Sequence, residues 1–191
     1  MLNTILGTLS GGVAAATGSY ESIASYIGTG SGSNITFTSI PGTYKHLQLR
    51  VIAKDTYTSG SGESTTGVLT FNSDTGSNYA RHQMQGNGTN VQASGSASTT
   101  GLQPWMGTYG TATNIYGVAI IDIHDYSSTT KYKTVRSFAG ADANVASASW
   151  TVRLTSGVWM STSAITSITL DVLISGFDTG STFALYGIKG A

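Results

Sequence analysis

Ile168-Thr169-Leu170-Asp171-Val172, then Gly176-Phe177-Asp178-Thr179-Gly180-Ser181, then Thr182-Phe183-Ala184-Leu185-Tyr186-Gly187-Ile188: this run near the C-terminus decides the fold. Ile168, Leu170 and Val172 alternate with Thr169 and Asp171, the period-2 pattern that puts apolar side chains on one face of a sheet. The Gly-Phe-Asp-Thr-Gly-Ser stretch breaks the pattern with residues that tolerate tight turns. Thr182 to Ile188 resumes it, with Phe183 and Leu185 on one side and Ala184, Tyr186 and Ile188 on the other. A strand apolar on both sides is expected to be covered on both sides and to lie inside its sheet. Such a chain needs its C-terminus intact before the sheet can close.

Working outward, the same alternation recurs. His46 to Lys54 points Leu47, Leu49, Val51 and Ala53 inward and Gln48 and Arg50 outward, with Ile52 the one apolar residue on its outer side. Asn114 to His124 is the longest apolar run, with Ala119, Ile121 and Ile123 on one face and Val118 and Ile120 on the other, and is expected to be buried twice over. Tyr132 to Gly140 follows a short polar turn at Asp125 to Thr130 and reads as its hairpin partner. Tyr20 to Ile27 and Asn34 to Ile40 read as strands. Val68 to Phe71 and Tyr79 to Gln85 read as a hairpin with a polar tip, and Ala146 to Leu154 as a further strand carrying Trp150. Gly86 to Gly101, rich in Gly, Ser, Thr and Asn, reads as a long loop, and loops beyond about 12–15 residues are usually functional or disordered. These runs predict nine or ten strands and no helix: an all-β protein, an antiparallel β-sandwich of the jelly-roll kind. Residues 1–18 hold Gly7, Gly11, Gly12 and Gly18 without a clear period. Glycine inside a helix costs up to about 1 kcal/mol, so they are expected to form a flexible N-terminal arm, with 19–191 a single domain.

The chain has 191 residues, of which 9% are charged, where roughly a quarter is usual. Ser, Thr, Asn, Gly and Gln must therefore coat the surface. Nine basic residues balance nine acidic ones, which leaves no electrostatic footprint for nucleic acid or anionic lipid. Near-zero net charge favours association. The absence of cysteine removes disulfides and thiol chemistry. Met1 to Ala16 lacks the Lys or Arg of a secretory signal, and no later run approaches the ~18 apolar residues of a membrane span.

Four segments carry a resemblance. Phe71-Asn72-Ser73-Asp74-Thr75-Gly76-Ser77-Asn78-Tyr79, Gln85-Gly86-Asn87-Gly88, Asp125-Tyr126 with Lys131-Tyr132-Lys133-Thr134-Val135-Arg136-Ser137, and Gly180 to Lys189 resemble virion structural proteins of tailed bacteriophages, notably those infecting cyanobacteria and other aquatic bacteria. The likeness covers roughly Ile40 to Lys189. It implies a jelly-roll module displayed on the virion, as a decoration or cement protein on the head or as a tail fibre or baseplate component. The family brings no catalytic residues. The chain has neither heptads nor repeats of a fibre shaft, which favours the head.

The chemical candidates are few. His46, His82 and His124 lack metal-ligand spacing and read as structural. Asn72, Asp74 and Asn78 stand around Gly76 as calcium-site oxygens could, but with one carboxylate among them a hydrogen-bonded turn is favoured. Asp122 and Asp125 bracket His124, with Ser127 and Ser128 nearby, yet no Gly-x-Ser-x-Gly elbow accompanies them. No catalytic, metal or cofactor site is expected. Trp105, Tyr109 and Asn87 are the candidate interface or ligand contacts, Tyr and Trp being enriched at interfaces. Leu2, Ile5, Leu9 and Val13 would anchor the docking arm. The expected partners are other virion proteins, the major capsid protein or tail proteins, and further copies of the chain as a trimer. A receptor- or carbohydrate-binding module on the tail is the alternative.

Overall fold

The computed structural model describes residues 18–32, 34–57, 67–104, 114–142, 151–172 and 176–190. Period-2 patterning becomes strands throughout: β1 (Tyr20–Ile27), β2 (Asn34–Phe37), β3 (His46–Ala53), β4 (Gly67–Phe71), β5 (Tyr79–Gly86), β6 (Val91–Thr99), β7 (Gly117–His124), β8 (Lys133–Gly140), β9 (Val152–Trp159), β10 (Ile168–Val172) and β11 (Thr182–Ile188). The strands form two antiparallel sheets of unequal size. Eight lie in the order β1-β11-β3-β7-β8-β9-β5-β6, and three in the order β2-β10-β4. The protein is an all-β sandwich, with eleven strands among the described residues against the nine or ten expected.

The C-terminal run supplies an interior strand to each sheet. β10 lies between β2 and β4, while β11 lies between β1 and β3. Phe183 and Leu185 are fully buried, as the alternation demands. The opposite face of β11 is only half covered: Tyr186 sits under the Arg50 guanidinium, 5.2 Å from ring centre to Cζ. Gly187 is required where it stands, because a Cβ there would lie 2.3 Å from the Tyr44 ring.

The core forms where the small sheet lies over the middle of the large one. Leu47, Leu49, Ile121, Ile123, Phe183 and Leu185 from the large sheet meet Phe37, Leu69, Phe71, Ile168 and Leu170 from the small one. At one end Phe71, Tyr79 and Trp159 pack together, with Phe71 and Trp159 centroids 5.5 Å apart and Tyr79 stacked on Trp159. The polar tips of both larger rings are satisfied, as burial requires. Trp159 Nε1 donates to the Asp74 carboxylate at 2.7 Å, and the Tyr79 hydroxyl donates to the Asp74 carbonyl while accepting the Phe71 N–H.

Besides the half-covered side of β11, other sequence expectations change: of the strand read over Ala146 to Leu154, residues 146–150 lie outside the described residues and the strand present is β9, Val152–Trp159. β4 and β5 are not a hairpin, because β4 pairs with β10 in the small sheet and β5 with β6 and β9 in the large one. The polar tip between them is longer than the 2–5 residues of most hairpins and carries the chain across the roughly 10 Å between layers. Gly86 to Gly101 is mostly strand: β6 pairs with β5 at the sheet edge, exposed on both faces, so no apolar alternation marked it. β7 is buried on one face only, for Val118 and Ile120 are open to solvent.

Candidate interaction face

The site is built from cross-strand register on the outer side of the large sheet. Ile52 stands opposite Val118, Val118 opposite Gly140, Gly140 opposite Val152, Val152 opposite Gly86, and Gly86 opposite Val91. Two residues along each strand a second row runs Arg50, Ile120, Phe138, Leu154, Met84 and Ala93. The third row is polar, from Gln48 through Asp122, Arg136 and Ser156 to His82. The four large side chains of the second row are between 43% (Ile120) and 58% (Phe138) exposed. Scattered apolar residues are normal on a protein surface, but a contiguous block of them marks a contact site. Gly140 opens a groove of about 340 Å³ in this block, walled by Val118, Ile120, Phe138 and Val152.

The polar row is held in place. Gln48 Nε2 donates to Asp122 at 2.9 Å, and Arg50 Nε donates back to Gln48 Oε1 at 2.9 Å. Arg50, at the β3 end of the second row and lining the groove, also lies over the rings of Tyr20 and Tyr186, whose faces stabilise its charge.

The fourth row, at the far end from the apolar block, brings His46 and His124 together as cross-strand partners, rings 5.1 Å apart edge to face. Two histidines far apart in sequence meet because β3 and β7 share a register that spacing cannot reveal. The Asp125 N–H donates to His46 Nδ1 at 3.0 Å, so that nitrogen is unprotonated. Burial, followed by the field of His124, lowers the His46 pKa below its usual 6.5. The 3.8 Å approach of His46 Nδ1 to the Asp125 carboxylate is accordingly no ion pair at neutral pH. Asp125 is matched by Lys131 at 2.8 Å and Lys45 at 3.2 Å, which hold its carboxyl down to about 2. Asp122 and Asp125 are thus each engaged by amide or ammonium donors.

In the 72–78 loop the oxygens close a turn. Asp74 accepts from the Gly76 N–H, Asn78 Nδ2 and Trp159 Nε1, while Asn72 Oδ1 accepts from the Thr166 and Ser167 N–H groups. Among the described residues no three His, Asp or Glu side chains cluster as metal ligands do. Asn87 sits at the tip of the β5–β6 hairpin, where its Oδ1 accepts the N–H groups of Thr89 and Asn90. That places it one residue along the chain from Gly86, in the turn beside the first apolar row. Trp105, Tyr109 and Trp150, and the arm residues Leu2, Ile5, Leu9 and Val13, lie outside the described residues. Phe138, Leu154 and Met84 were not singled out from sequence. The available signal was strands apolar on both sides, which also fits double burial.

The class these features define is an uneven antiparallel β-sandwich with an open apolar sheet face. No protein-family model, curated protein or solved structure matches the chain.

Proposed function

We propose that the chain is a non-enzymatic structural protein of a tailed-bacteriophage virion, a head decoration or cement protein that associates with its own copies and with the head lattice. The observation that carries this reading is the two-row apolar block on the outer sheet face, in a chain with 9% charged residues and no net charge. Such a surface packs against neighbours without burying unpaired ions, which is costly. High copy number on a lattice then multiplies weak contacts. The resemblance of the Phe71–Tyr79, Gln85–Gly88, Asp125–Ser137 and Gly180–Lys189 segments to phage virion proteins supports the same assignment.

The test is co-sedimentation of the purified full chain with phage particles lacking it, followed by imaging of a labelled copy. The expected result is saturable binding with label on the head; label on the tail favours the fibre or baseplate alternative. A chain without residues 1–18 is expected to keep its β circular-dichroism spectrum and lose attachment. Absence of binding to particles, or turnover of a substrate by the free monomer, overturns the proposal.

A further inference from the structure

We propose that the apolar face binds a second copy of this chain, the two large sheets stacking face to face about a two-fold axis that crosses the strands between the first and second rows. This rests on the self-association in the preceding section and names its surface.

The register makes the face complementary to itself. A two-fold axis lying between the sheets and perpendicular to the strands sets each strand antiparallel over its own counterpart, so the second row of one copy meets the first row of the other. Phe138 then lies over Gly140 of the other copy, and Met84 over Gly86; the two bulkiest unbranched or aromatic side chains of one row meet the two glycines of the other. The groove at Gly140 is the recess that receives the phenyl ring. Ile120 meets Val118 and Leu154 meets Val152, ordinary aliphatic packing across the ~10 Å separation of stacked sheets. In an isologous interface each such contact occurs twice.

Extent and charge agree. Strands about 4.8 Å apart give the six-strand block from β3 to β6 a width of roughly 24 Å. With the polar row as a rim, the face approaches the ~800 Å² per partner of a stable interface. Asp122 and Arg136 are cross-strand neighbours within that rim; the one charge in the two rows, Arg50 at their β3 end, lines the groove but is hydrogen-bonded to Gln48 and lies over the rings of Tyr20 and Tyr186, at the margin of the contact. A two-fold stack yields pairs, not the threefold ring expected from the family resemblance.

Sedimentation equilibrium of the full chain tests this, with Phe138→Glu, Gly86→Leu and, as control, Ser77→Glu in the 72–78 loop. Wild type and the control are expected at twice the chain mass. Phe138→Glu is expected to weaken pairing at least about a hundredfold, since it leaves an unpaired buried charge, with an unchanged melting temperature of the monomer. Gly86→Leu fills the recess for Met84 and is expected to weaken pairing too; a Cβ there meets nothing nearer than 4.0 Å, so the fold accepts it. A monomeric wild type, pairing indifferent to both face variants, or equal loss in the control overturns the proposal. So does a wild type that pairs only after residues 1–17 are removed, which would assign the face to the chain's own N-terminal segment. Particle binding is measured separately: a monomeric wild type that still decorates heads sinks the stacking and spares the function.

Discussion

Tyr79 shows how much of the sandwich hangs on single polar groups. Its ring is fully buried, and its hydroxyl accepts the Phe71 N–H and donates to the Asp74 carbonyl, both at 3.0 Å, which ties the end of the small sheet to the start of β5. Tyr79→Phe leaves both backbone groups without that partner. The expected loss is about 1–3 kcal/mol, read as a lower midpoint in urea. Burial pushes the Tyr79 phenol up to about 12 from its usual 10.0. A raised pKa means the contribution is complete below pH 10 and lost as pH rises toward about 12, so alkaline unfolding is expected in that window and is reduced in the variant. On the acid side Asp125 has the opposite sign. Its carboxyl is depressed to about 2 from 3.8 by Lys131 and Lys45, so its contribution holds above pH 3.8 and disappears as pH falls through about 2. His46, lowered from 6.5 by burial, is expected to titrate below an exposed histidine in an NMR pH series. His46→Gln is expected to flatten the fall in stability just below pH 6.5.

At the scale of elements, the C-terminal run carries more than its length suggests. β10 and β11 are adjacent in sequence yet sit inside different sheets, and β11 joins β1 to β3 over its whole length. Removing residues 182–191 strips Phe183 and Leu185 from the core and separates β1 from the rest of the large sheet. Each such side chain is worth about 1.5–3 kcal/mol of burial, comparable in sum to a large part of the stability of an ordinary domain. The truncated chain is expected to give no cooperative thermal transition by calorimetry. The pairing of β1 with β11, and of β2 with β10, also joins segments more than a hundred residues apart. Folding dominated by such distant pairings is expected to be slow, on the millisecond-to-second scale.

For the whole molecule, the inequality of the two sheets is the decisive feature. Three strands cover one side of an eight-stranded sheet, and the opposite side presents Ile52, Val118, Ile120, Phe138, Leu154 and Met84 in two adjoining rows. The proposed association through these rows would be driven by apolar burial. It is therefore expected to persist, or strengthen, between 0.1 and about 1 M salt, where contacts between exposed charges are screened; sedimentation across a salt series reads this directly.

By itself the amino-acid sequence determined the all-β class, the absence of helix-forming periods and the inward set of most strands. Leu47, Leu49, Val51 and Ala53 face the core as their alternation requires, because a two-residue period is a local property of an extended chain. The last strand does lie inside its sheet, as read, but the double coverage from which that was read does not hold, since the Tyr186 side is only half covered. Only the tertiary structure decided which strand belongs to which sheet, that β4 and β5 part company, that the glycine- and serine-rich 91–99 segment is an edge strand, and that His46 meets His124. It also decided the state of Val118 and Ile120. Apolar residues on both sides of a strand look alike in sequence whether a second layer covers them or a partner must, and only the number of strands in the opposing sheet tells the two apart.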